Sequence, residues 1–326
     1  MKPVVVSGFK PSGELHIGNY LGALKQAVEL QNSGKYNCYY FIADYHALTQ
    51  HYNPKDKAKE IYMMAVDALA AGIDPKKSVF FMQSYVPEHA NLTWIFNTIT
   101  PTGRLENMIE YKEKLAQGES ANAGLLDYPV LQAADILLYK AEFVPVGEDQ
   151  RQHVELTRDV ARAFNRRFGQ TFKEPKVLLT KVPRLMSLDN PTKKMSKSLP
   201  AGCLYLMDSP ETIRQKIKRA VTDSETSVAY NPAKRPAVSN LVLIYSEFSN
   251  ETPTAVVKKF KGASYSEFKS TLADLLIEKL KPLRERRAKF AKNRRGVMKI
   301  LEEGSARASE VSKKTFHEVR KKAGLI

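Results

Sequence analysis

Short runs of β-branched and aromatic residues alternate with stretches of helical spacing as far as residue 168, and this alternation constrains the fold more than any other feature. Pro3-Val4-Val5-Val6 reads as a buried strand, closed by the turn Gly8-Phe9-Lys10-Pro11-Ser12-Gly13. Ile17, Leu21, Leu24 and Val28 then share one helical face. Further strands are expected at 39–43, 79–82 and 143–146, with helices at 56–71, 88–99, 104–117, 129–140 and 152–168. Gly72 and Gly169 close two of those helices. Strands joined by helical crossovers pair in parallel, so the expected class is α/β, a Rossmann-like, doubly wound parallel sheet. After Pro183 the pattern changes. A loop rich in Lys and Ser over 191–202 precedes helical segments at 210–220, 239–246, 264–278, 283–303 and 309–323. The expected organisation is an α/β domain over 1–190 carrying an inserted helical segment at about 88–125, the 191–202 loop, and a mostly helical domain over 203–326.

Charge narrows the choice of partner. Of 51 Lys and Arg and 35 Asp and Glu, residues 1–198 hold 25 and 21, and residues 199–326 hold 26 and 14. The net charge is therefore +4 in the longer part and +12 in the shorter. Lys281 to Arg295 contains eight basic residues and one acid, Glu285. A surface of that kind fits a polyanion, since Lys and Arg release counterions from phosphates; a merely solvated helical face is the bland reading. Two cysteines, Cys38 and Cys203, exclude a disulfide framework and a zinc or iron–sulfur site, and fit a reducing compartment. The N-terminal apolar run is too short for a secretory signal and no apolar stretch reaches 18 residues, so a cytoplasmic protein with no membrane partner is expected.

Two segments carry phosphate chemistry. Gly13-Glu14-Leu15-His16-Ile17-Gly18-Asn19 has glycines at the Walker spacing but lacks the Lys-Ser/Thr pair, which excludes a P-loop NTPase. It remains a glycine turn that aims a helix N-terminus at an anion, with His16 and Asn19 as neutral donors. Lys194-Met195-Ser196-Lys197-Ser198 puts two ammonium groups and two hydroxyls on a loop anchored by little but Met195, able to follow a triphosphate. A third segment, Asp127 to Tyr139, places Tyr128, Gln132 and Asp135 on one helical face. A carboxylate among Ala133, Ala134, Ile136 and Leu137 is costly unless a donor meets it. In Val144-Pro145-Val146-Gly147-Glu148-Asp149-Gln150, Glu148 or Asp149 can cap the next helix. Asp149 can also accept from a ribose hydroxyl, and Gln150 can hold a substrate ammonium or carboxylate. His46 ends the second strand and is either a substrate contact or a structural histidine.

The first two segments resemble the paired "HIGH" and KMSKS signatures of class I aminoacyl-tRNA synthetases, and with the third the chain resembles the tryptophanyl enzymes over nearly its whole length. The resemblance implies activation of L-tryptophan by ATP with Mg²⁺, then transfer to tRNA(Trp), by a homodimer whose helical domain over 203–326 holds the anticodon arm. It implies His16, Asn19, Lys194 and Lys197 as catalytic groups. ATP contacts are implied at Lys10, Pro11, Ser12, Gly18, Asn19, Gly147, Glu148, Asp149, Leu185, Lys194, Met195, Ser196, Lys197 and Ser198. The tryptophan side is implied at Asp135, reading the indole N–H, with Tyr128, Gln132, Gln150, Val6 and His46. No metal site of the protein's own is expected. Lys10 stands where many bacterial relatives have Gln, and Gln132 where many have Met. Gln132 also fits a tyrosyl-tRNA synthetase, which is one alternative; a tRNA-binding paralogue without catalysis is the other.

Overall fold

The computed structural model describes residues 2–49, 51–118, 120–179, 184–197 and 199–325, and for Asp149 the backbone alone. Ser198 and Pro183 lie outside the described residues. The chain divides into two compact units. One comprises Met1–Gly13, Gln26–Thr180 and Phe290–Ile326; the other comprises Glu14–Lys25 and Lys181–Lys289.

The first unit is built on β1 (Val4–Phe9), β2 (Asn37–Ile42), β3 (Val79–Met82), β4 (Phe143–Val146) and β5 (Lys176–Leu179). Their order is β3-β2-β1-β4-β5, all parallel. Four strands fall where the apolar runs predict. β5 does not: Lys176–Leu179 holds one β-branched residue and no aromatic, and its pairing of Val177 with Val144 on β4 makes it a strand.

In chain order the helices are α1 (Ile17–Asn19), α2 (Lys25–Asn32), α3 (Pro54–Ala71), α4 (Glu88–Asn97), α5 (Thr102–Glu106), α6 (Ile109–Ala116) and α7 (Ala123–Leu137). There follow α8 (Arg151–Phe168), α9 (Pro210–Arg219), α10 (Pro236–Ser249), α11 (Pro253–Lys259), α12 (Tyr265–Lys292) and α13 (Arg294–Lys322). The helix expected from Ile17 onward is wound in three pieces, with a π-helical turn over Tyr20–Leu24 separating α1 from α2. α3 starts where Asn53 accepts from the Lys55 N–H and Pro54 opens the first turn, and it ends at Gly72, whose φ of +117° suits glycine. α7 begins six residues before Pro129, because the Asn122 side chain accepts from the Leu125 N–H (2.9 Å) and the proline is carried inside.

The long C-terminal helices also depart from expectation. α12 continues through Pro282, its buried stripe Leu276, Leu280 and Leu283 unbroken. α13 runs on past 303 and packs against β3. A Cβ on Gly304 would fall on the Phe80 carbonyl oxygen, so only glycine allows the helix so close. One residue on, Ser305 Oγ accepts from the Met82 N–H (3.4 Å). Residues 290–326 therefore belong with the sheet, whereas chain order alone groups them with the helical domain.

The core of the first unit joins Val6, Phe41, Phe81, Val144 and Val146 of the strands to Ala133, Ala134 and Leu137 of α7. Burial of the Val, Leu and Phe side chains among them contributes on the order of 2 kcal/mol each. In the second unit Tyr245, Phe260 and Phe268 pack ring to ring, with centroids 4.9 and 5.1 Å apart. Among the described residues no helix is long and apolar enough to cross a membrane.

Candidate active site

β1 and β4 are neighbours in the sheet although well over a hundred residues separate them in sequence, and the strand order reverses there. In such sheets the crevice outside the carboxyl ends of the two strands takes the ligand. Lys10-Pro11-Ser12 follows β1 and Gly147-Glu148 follows β4, so two distant segments share one edge. Lys10 Nζ reaches Thr49 Oγ1 at 3.5 Å, and Thr49 in turn donates to the His46 carbonyl (2.9 Å). Glu148 is exposed and accepts from Arg151 (3.1 Å). The Asp149 side chain lies outside what the structure describes.

Asp135 on α7 is fully buried and carries three donors. Gln83 Nε2 (2.8 Å) and His89 Nδ1 (2.5 Å) meet Oδ1, and His46 Nε2 (2.7 Å) meets Oδ2. Burial alone would push the carboxyl up, but the hydrogen bonds and charge of His46 and His89 outweigh it and hold the pKa down at about 2. An ionised carboxylate only accepts, so both imidazoles present an N–H to it. His89 Nε2 then meets the Tyr139 hydroxyl at 2.8 Å. Burial pushes that phenol well up, so it keeps its proton.

A second polar group borders the first. Tyr128 Oη lies 2.9 Å from His153 Nε2, and burial, with Glu110 beside it, raises the phenol's pKa. Gln150 donates to Glu110 (3.3 Å). Tyr128 also packs edge-on to His46, with centroids 6.2 Å apart. Gln132 is half-buried on α7, and Val6 lies in the core beside that helix.

His16 to Asn19 and Lys194 to Lys197, from the two segments that resemble the class I signatures, lie in the second unit. His16 caps α1: its Nδ1 accepts from the Asn19 N–H (3.3 Å), and Asn19 Oδ1 accepts from the His16 N–H (3.2 Å). Burial first, then the positive charges of Lys197 and Lys194, lower the imidazole's pKa to about 4. His16 is therefore neutral at pH 7, and since Nδ1 accepts, the ring proton sits on Nε2. A Cβ on Gly18 would stand 3.0 Å from the His16 ring, which accounts for glycine there. The 194–197 segment is better anchored than its composition suggests. Met186 pairs with Lys194, the Met195 N–H donates to the Leu185 carbonyl (3.0 Å), and Leu185 and Met195 are both buried. Ser196 accepts from Cys203 through its carbonyl (3.0 Å). Ile17 and Leu206 complete the frame by bonding to Leu204 and Leu15.

The family model described as tRNA synthetases class I (W and Y) matches residues 1–281. The tryptophan–tRNA ligase of Caldanaerobacter subterraneus subsp. tengcongensis is 47% identical over 325 residues, covering 99% of this chain and 98% of its own. The chain belongs to the tryptophan–tRNA ligases. Among solved structures, the tryptophanyl-tRNA synthetase of Mycoplasma pneumoniae is similar with a TM-score of 0.90 and 31% identity, covering 99% of this chain and 98% of its own. That of Campylobacter jejuni, complexed with ADP and tryptophan, has a TM-score of 0.85 and 35% identity, covering 98% and 99%.

For a ligase of this family, the structure brings together Asp135, His46 and Tyr128 in one unit and His16, Gly18, Asn19, Leu185, Lys194 and Met195 in the other. Four polar residues around the first group escape sequence reasoning: Gln83, His89, Tyr139 and Glu110. Gln83 follows β3 and His89 opens α4, places where polar residues ordinarily face solvent. One signal was legible. A carboxylate among apolar neighbours calls for buried donors, and the end of the adjacent strand is where they come from.

Proposed function

We propose that the enzyme activates L-tryptophan with ATP, releasing pyrophosphate, and then transfers the tryptophanyl group to tRNA(Trp). Membership of the tryptophan–tRNA ligases supports this, and the observation that carries it is the pair of signatures built around a neutral His16 and the Lys194–Lys197 ammonium groups. Tryptophan's carboxylate is already ionised at neutral pH, so attack on the α-phosphorus needs no general base. Catalysis is positioning and charge stabilisation. His16 supplies an uncharged Nε2–H donor at a helix start, where charge builds on phosphate oxygens, and the two lysines supply mobile positive charge. Mg²⁺ accompanies ATP as part of the substrate, on the phosphate oxygens.

In this reading Asp135 reads the indole N–H. Two oxygens offer about four lone-pair sites, and three are taken by Gln83, His89 and His46. The remaining one, on Oδ2, accepts the substrate. Tyr128 and Gln150 serve the amino group, and Lys10, Ser12 and Gly147 the nucleotide. The enzyme works in the cytoplasm as a homodimer, with tRNA on the basic surface around residues 281–295. Trp94, the single tryptophan of the chain, is 72% exposed and would report burial in a dimer by a blue shift of its emission.

ATP–pyrophosphate exchange tests the reading, with tryptophan and tyrosine run in parallel. Exchange with tryptophan alone is the expected result. Exchange with tyrosine alone would overturn the role of Asp135, and none with either would leave a tRNA binder.

A further inference from the structure

Asp135 does not stand alone behind the substrate. Its Oδ1 is held from the core side by His89, whose side chain is fully buried and is itself held by Tyr139, likewise buried. His46, on Oδ2, is the more exposed partner, with 12% of its side chain open. The two imidazoles are thus unequal: one is partly open, the other is enclosed by protein.

The hydrogen-bond directions along the inner arm follow from chemistry. A neutral imidazole has one N–H and one lone pair. If His89 carried its proton on Nε2, the Nδ1 lone pair would point at Asp135 Oδ1 at 2.5 Å, lone pair against lone pair. The Tyr139 hydroxyl, 2.8 Å from Nε2, removes that option by donating to Nε2. Tyr139 is held in turn by Tyr39, stacked at 4.7 Å between centroids, and by Phe81, edge-on at 5.6 Å. Gln83 Nε2 occupies the other site on Oδ1. With Oδ1 saturated from inside, the open lone pair must be on Oδ2.

We propose that His89 and Tyr139 act as a positioning relay that fixes the Asp135 carboxylate with one Oδ2 lone pair open to an N–H donor of the substrate side chain, so that selectivity for an indole over an isostere without N–H depends on two residues that never touch it. The proposal rests on Asp135 being the indole reader. Neither residue is catalytic.

The test measures kcat/KM in ATP–pyrophosphate exchange for L-tryptophan and for β-(benzothiophen-3-yl)-L-alanine, whose ring has sulfur in place of N–H. Tyr139→Phe removes one hydroxyl without changing shape and should lower the preference for tryptophan about tenfold, the size of one hydrogen bond in a charged network. The loss should appear in the KM for tryptophan, with the KM for ATP unchanged. His89→Leu should lose at least as much, and His89→Asn, whose amide nitrogen can stand in for Nδ1, should recover most of it. A role confined to packing would lower activity with both substrates alike and leave their ratio intact. The ¹⁵N shifts of His89 give a second readout: wild type should show the Nδ1–H tautomer, and Tyr139→Phe a mixture. Asp135→Asn separates the two levels. If it abolishes the preference while Tyr139→Phe and His89→Leu preserve it, the relay is wrong and the reader stands. If Asp135→Asn also preserves the preference, the reader is wrong and the relay falls with it.

Discussion

His16 offers a sharp quantitative test because its burial and its two lysine neighbours act in the same direction. An ordinary histidine titrates near 6.5, and in the fold the value drops to about 4. The unfolded chain therefore binds a proton more readily than the native state, and stability present above pH 6.5 is lost as the pH falls toward 4. Fully expressed, the difference amounts to on the order of 3 kcal/mol, most of which is lost by about pH 4.5. His16→Gln removes the titration and keeps a neutral side chain. Urea unfolding of both proteins, from about pH 7.5 to about pH 4.5, should show the wild type losing on the order of 2–3 kcal/mol more than the variant. The exchange rate of the wild type should show no step at 6.5 assignable to His16, because the donor is already uncharged there. A constant stability difference across that range would refute the reasoning, since it would mean that the imidazole takes up its proton equally in both states.

Other perturbations probe separate parts. Lys197→Ala should slow pyrophosphate exchange about a hundredfold, the cost of one well-aimed transition-state contact, while tryptophan binding by calorimetry changes little; unaltered exchange would remove the lysine from the chemistry. Replacing Arg286, Arg287 and Arg295 together with Gln should weaken tRNA charging and flatten its salt dependence, with exchange preserved. Arg294 is left in place because it lies 4.7 Å over the Tyr62 ring and its loss would disturb packing. Equal losses in charging and exchange would count against a tRNA-facing surface. Gly304→Ala should destabilise the first unit by about 3 kcal/mol, because the added methyl meets backbone that cannot yield. An unchanged urea midpoint would mean that α13 is not docked as described.

What could be read from sequence was what depends on local pattern. Four of the five strands among the described residues, the crossover helices and the two segments that resemble the class I signatures are visible because apolar period, glycine turns and Lys-Ser spacing are properties of neighbours along the chain. Asp135 stood out for the same reason, as a charge misplaced in an apolar run. Local pattern could not show β5, whose four residues become a strand only beside β4, nor the continuous courses of α12 and α13. It placed 290–326 with the helices that precede it, although Gly304 and Ser305 seat α13 on β3.

The environment of each site residue was settled only by the fold. His16 reads in sequence as a neutral donor in a glycine turn. The fold supplies the cause, because burial and lysines nearly 180 residues away disfavour its cation. The sequence likewise shows Asp135 to need a partner but not which one, since Gln83 and His89 come from the end of β3 and the start of α4, and His46 from beyond β2. Periodicity reports which face of an element is buried. The donors that converge on a buried charge are set by strand order and helix packing, which join residues far apart in the chain.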